Sequence, residues 1–179
     1  MTPKGIPTIY KGYQFRSRLE AKWAVFFDLC EWNWEYEPVD FKGWIPDFAL
    51  YGKDVVYVEV KPVVEFPKEV AEKIDKSMCD KEVLIVGQSN PIPCSSTHHE
   101  ISLGWIREIY PDGSFWDEAA YGRWEEGKGK IGFCHAQGSF QDRISGGYDG
   151  GRYGNVSLKR DEVEDLWSKA CNLVQWKKP

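Results

Sequence analysis

From Asp54 to Pro62 the chain alternates in the manner of a strand: Val56, Val58 and Val60 share one face, while Tyr57, Glu59 and Lys61 share the other. The valine face suits a core, and the opposite face carries charge. The preceding run, Trp44 to Leu50, is less regular, but Gly52-Lys53-Asp54 supplies turn residues between the two runs. A hairpin closed at that turn sets Asp47 level with Glu59. Upstream, Leu19, Trp23, Phe26, Phe27 and Cys30 recur at helical spacing behind Ser17, which predicts an amphipathic helix opening at that serine. Residues 66 to 78, with Pro67 in the first turn and charges of both signs, predict a second helix, and Glu82 to Gly87 a buried strand. A helix between two strands suits a right-handed crossover and parallel pairing. Further on, 101–110 and 115–124 predict two more strands around Pro111-Asp112-Gly113-Ser114. The stretch 161–176 predicts a closing helix with Val163, Leu166, Trp167, Ala170, Leu173 and Val174 on its apolar side.

Two carboxylates brought together in a half-buried cleft repel, and one is driven toward its neutral form unless a cation lies between them. Mg²⁺ suits the position, because it is hard, prefers oxygen ligands and leaves places for water and phosphate. The ligands expected are Asp47 and Glu59, with the backbone carbonyl of Val60 as a third, and Mn²⁺ is expected to substitute. Lys61, two residues beyond Glu59 on the same face, is placed to orient an attacking water or to stabilise charge on a phosphate. Glu20 has two readings. In Ser17-x-x-Glu20 it completes a capping box; with Ala24 and Phe27 apolar on its side, it also borders the buried stripe and can serve as a third acid.

These residues in this order resemble the PD-(D/E)xK nuclease superfamily. The sequence Phe15-Arg16-Ser17-Arg18-Leu19-Glu20-Ala21-Lys22-Trp23-Ala24, followed by Trp34-Glu35-Tyr36-Glu37-Pro38, is similar to small phage and prophage nucleases, themselves distantly similar to Holliday junction resolvases and TnsA-like endonucleases. The likeness covers about residues 10 to 90. It implies an α/β (α+β) fold with a restriction-endonuclease-like core of helix, three strands, helix and strand in a mixed sheet. Asp47 and Glu59 would then be metal ligands, Lys61 the catalytic lysine, and Glu20 the acid on the first helix, also near the metal. The second helix sometimes adds a polar residue in such enzymes, here Lys68 or Lys73, against the simpler reading of a solvated face.

Composition leaves this picture standing. At 179 residues, 42% hydrophobic and with nine Trp, the chain is long enough for a single domain, with a core at about 10–90 and an elaboration at about 91–179. With no long apolar run and no signal-type leader, a cytoplasmic protein without a membrane partner is expected. Five irregularly spaced Cys point to reduced thiols. Zinc is not expected from Cys79, Cys94, His98, His99, Cys134 and His135, because tight paired spacing is missing. The net charge of −5 argues against DNA as a partner until its distribution is considered. Residues 1–27 carry Lys4, Lys11, Arg16, Arg18 and Lys22 against Glu20 alone. Arg16, Arg18 and Lys22 are therefore the expected DNA-backbone contacts. The segment 127–154 holds nine of the seventeen Gly, interleaved with Phe133, Phe140, Tyr148, Tyr153, Arg143 and Arg152. It reads either as a loop that stacks on or tracks DNA or as an irregular surface loop. The expected function is Mg²⁺-dependent DNA endonuclease, on branched or phage recombination DNA. Alternatives are a non-catalytic nucleic-acid-binding or adaptor module on the same scaffold, and an exonuclease or transposon-end nuclease. Cutting of branched DNA generally requires two active sites, so a homodimer stays open.

Overall fold

The computed structural model describes residues 5–93, 101–107, 116–124, 129–135, 141–148 and 158–175. Its elements in chain order are β1 (Thr8–Tyr10), β2 (Tyr13–Phe15), α1 (Arg18–Leu29), β3 (Asn33–Tyr36), β4 (Phe48–Tyr51), β5 (Val55–Val60), α2 (Lys68–Lys76), β6 (Glu82–Val86), β7 (Ile92–Pro93), β8 (Ile101–Arg107), β9 (Trp116–Arg123), β10 (Ile131–His135) and α3 (Arg160–Leu173). The class is α+β. The main sheet runs β10-β9-β8-β6-β5-β4-β3, with β7 paired to β8 off that path. Within it only β5 and β6 are parallel, joined by α2 as the crossover, and the other neighbours are antiparallel. The order α1, β3-β4-β5, α2, β6 is the order expected from the sequence.

The sheet buries both faces. Val56, Val58 and Val60 of β5 join Phe48, Leu50 and the side chains of α1 and α3 in one core, while Val83 and Ile85 pack with Ala71 and Ile74 of α2, Trp44 and Trp105 in the other. The alternation along β5 is thus the division between two cores. Ser17 caps α1 as expected, accepting from the Glu20 amide at 3.1 Å. Burial on α1 goes beyond one stripe: Ala21 and every residue from Trp23 to Phe27 are buried, because the helix packs against α3 as well as against the sheet. The Trp23 and Trp167 rings lie 4.7 Å apart at that contact. On α3, Val163, Ala170 and Val174 are buried and Leu166 and Trp167 pack on the core, but Leu173 is 62% exposed and lies off the apolar side on which it was expected.

Two further features depart from expectation. The β1–β2 hairpin has no apolar run to announce it; it turns through Lys11 and Gly12 with φ of 48° and 83°, the left-handed pair that a two-residue turn needs. The glycine-rich segment is not a free loop where it is described. Residues 131–135 form edge strand β10, with Phe133 fully buried and therefore unable to stack on a nucleic acid. Arg143 is bound to the Glu82 carboxylate through Nε at 2.5 Å and Nη2 at 2.8 Å. Asp142, also buried, accepts from the amides of Phe133, Ile144 and Ser145 and pins the segment to the sheet. Gly132 is required there, because a Cβ would stand 2.0 Å from the Asp142 carboxylate. Tyr148 is exposed, and Phe140, Arg152 and Tyr153 lie outside the described residues, as do Cys94, His98, His99 and the turn at 111–114. Among the described residues no helix is long and apolar enough to cross a membrane.

Candidate active site

Phe48 pairs with Val58 and Tyr51 with Val55, so one more step of the same register sets Asp47 opposite Glu59. Both carboxylates are buried, at 3% and 5% exposure. They form the floor of a cleft of about 550 Å³, whose walls include Arg16, Ser17 and Glu20 from the start of α1, the Asp40–Ile45 loop, Lys61 after β5, and Lys73 of α2.

Burial, with the Glu59 charge next to it, raises the Asp47 carboxyl from 3.8 to about 7, against the opposing pull of the Lys61 ammonium and the Val60 amide. That is the strain expected of two carboxylates forced together. Its relief comes from the chain itself. Lys61 Nζ is ion-paired with Glu59 Oε1, donates to the Val60 carbonyl at 3.2 Å and lies 4.0 Å from Asp47 Oδ2. The ammonium therefore rests where the three expected ligand oxygens converge. The Val60 amide donates to Asp47 Oδ2 at 2.7 Å, tying the end of one strand to its neighbour.

Glu20 stands at the edge of this group, with its oxygens engaged in fixing the start of the helix. Oε1 accepts from the Ser17 hydroxyl at 2.8 Å, and Oε2 accepts from the Arg16 amide at 3.1 Å and the Tyr36 hydroxyl at 2.6 Å. The reciprocal bond goes to the amide of Arg16 and not to that of the cap residue, so the capping box is modified. The Tyr36 phenol is raised above its ordinary value, by burial first and by its bond to Glu20 second.

Two of the five basic residues at the start of the chain are paired internally. Arg16 Nη2 donates to Asp47 Oδ1 at 2.5 Å and pairs with Glu37 at 3.1 Å, and Lys11 pairs with Asp28 at 3.0 Å. Arg18 and Lys22 do not line the cleft, and Arg18 Nε is buried without a hydrogen-bond partner. Of the two α2 lysines, Lys73 reaches the cleft wall, whereas Lys68 is exposed and 3.9 Å from Glu72.

Three site residues escaped sequence reasoning. Trp44 Nε1 donates to Glu59 Oε2 at 2.8 Å and its ring stacks on Phe41. Tyr36 and Glu37 meet Glu20 and Arg16 from the end of β3. The Trp34-to-Pro38 string carries part of the resemblance, but nothing in its spacing announces which acid or arginine it meets.

The oxygens around Lys61 Nζ match a hard divalent cation: two carboxylates and a backbone carbonyl. Among the described residues no three His, Cys, Asp or Glu side chains converge as a metal cluster, so the carbonyl is needed to complete the set. Comparison of the chain with models of known families, with curated proteins and with solved structures returned no match.

Proposed function

We propose that the chain is a Mg²⁺-dependent nuclease that hydrolyses DNA phosphodiester bonds. The observation that carries the reading is the position of the Lys61 ammonium, a cation held by Asp47, Glu59 and the Val60 carbonyl at the base of an open cleft. A divalent ion held by those groups would supply Lewis acidity and a water of lowered pKa. Lys61, one residue past the carbonyl ligand, then faces the open side of the cleft and donates to a phosphate oxygen, stabilising charge in the transition state. Trp44 orients Glu59, and the Val60 amide orients Asp47, so that neither carboxylate must reorganise. Lys73 and the exposed guanidinium of Arg16 offer phosphate contacts at the cleft wall. DNA as the polymer rests on the resemblance in motif order. A cytoplasmic location fits the free cysteines Cys30, Cys79 and Cys171.

A non-catalytic DNA-binding module on the same scaffold is favoured by one observation: each carboxylate oxygen of Asp47 and Glu59 already has a partner within the chain. Plasmid, linear, single-stranded and four-way-junction DNA, each incubated with the protein and Mg²⁺ or Mn²⁺, separate the two. Cleavage lost in Asp47→Asn and Glu59→Gln supports the nuclease; binding without nicking on all four substrates supports the module.

A further inference from the structure

Asp47 turns Oδ2 to the Val60 amide at 2.7 Å and toward Lys61 Nζ at 4.0 Å, and its other oxygen, Oδ1, to Arg16 Nη2 at 2.5 Å, so the guanidinium competes with any cation for the charge of the same carboxylate. The two partners differ in freedom. The Asp47 side chain is 4% exposed and tied to β5, whereas that of Arg16 is 56% exposed and opens on solvent. The Arg16 backbone is fixed, its amide donating to Glu20 Oε2 at 3.1 Å and to the Tyr36 hydroxyl at 3.3 Å, so departure from Asp47 requires only side-chain rotation. Glu37, whose side chain is 37% exposed and 3.1 Å from Arg16 Nη2, offers the guanidinium a second seat toward the rim. A guanidinium binds phosphate in the same forked manner as carboxylate, so a phosphodiester in the cleft competes with Asp47 for it.

We infer that Arg16 is a positioning residue whose guanidinium competes with cations for the Asp47 carboxylate until a phosphate-bearing substrate draws it away, so that substrate binding and ion binding promote each other. The inference rests on the nuclease reading and deepens it. By linkage, the ion must tighten the substrate as much as the substrate tightens the ion.

The test is Mn²⁺ titration of the full chain by calorimetry, alone and with a short phosphorothioate DNA duplex, which keeps the backbone charge and resists cleavage. Without DNA, Arg16→Gln should bind Mn²⁺ about tenfold more tightly than wild type, the scale of losing one charge-assisted competitor at a partly exposed position. Arg16→Lys should fall between them. The duplex should tighten Mn²⁺ binding more in wild type than in Arg16→Gln. A purely structural ion pair predicts the opposite order, with Mn²⁺ affinity unchanged or weakened in Arg16→Gln, and that result overturns the latch. If wild type binds Mn²⁺, Asp47→Asn does not, and Arg16→Gln matches wild type, the latch alone fails. If no form binds Mn²⁺, the nuclease reading fails with it. Circular dichroism checks that both Arg16 variants are folded.

Discussion

The Val60 amide donates to Asp47 Oδ2 at 2.7 Å, so a side chain preceding β4 is bonded to the backbone of β5. This holds the carboxylate beside Glu59, where burial first and the Glu59 charge second raise Asp47 to about 7 against the pull of that same amide. A carboxyl raised in the folded state binds a proton there that the unfolded chain has already lost, so folding stability falls as pH rises from about 4 to about 7 and levels off above it. Asp47→Asn keeps an acceptor for the amide and removes the charge. Its stability relative to wild type should therefore rise between pH 5 and pH 8, by on the order of 2 kcal/mol. Urea unfolding at the two pH values checks this, and a pH-independent difference would contradict the burial argument.

Divalent cation should act in the opposite sense. An ion bound only by the folded chain stabilises it by mass action, about 2.7 kcal/mol at a hundred times its Kd. Wild-type Tm should rise with Mn²⁺ at pH 8, while that of Asp47→Asn and Glu59→Gln should not. Chelation should return wild type to its starting value.

Trp44→Phe keeps most of the ring surface and removes the donor to Glu59 Oε2. Leaving a buried carboxylate oxygen unmatched costs about 1–3 kcal/mol. We expect a stability loss in that range together with weaker Mn²⁺ binding, whereas a variant with lower Tm but unchanged ion affinity would show that the indole only packs.

Asp142→Ala removes the acceptor for three backbone amides and for the Ser145 hydroxyl. Destabilisation of about 3 kcal/mol is expected, from several buried bonds lost together. Amide exchange should quicken along β10 and not at Glu59. Equal quickening at both would mean that the strand is not held locally.

Much of the site was legible before folding because a strand's period of two is strict. Val56, Val58 and Val60 had to lie opposite Glu59, and the Gly52-Lys53-Asp54 turn had to bring Asp47 level with it, as the β4–β5 register bears out. Ser17 announced the start of α1 by the same local logic. Leu173 and the glycine-rich segment depart from their sequence pattern because the burial of a residue depends on which neighbour arrives. α3 meets α1 through Trp167, leaving Leu173 outside, and Asp142 turns a segment of weak pattern into a pinned edge strand.

Local sequence, then, determined what short-range geometry dictates: the two strands, the hairpin, the capped helix, the crossover, and the presence of two acids and a lysine on one face. Only the tertiary structure decided the partners of those charges. Arg16 pairs with Asp47, Trp44 bonds Glu59, and Tyr36 holds Glu20. The physical reason is range. Periodicity orders neighbours along one segment, whereas an ion pair in a low-dielectric cleft is made by whichever opposite charge the packing of distant segments brings within about 4 Å.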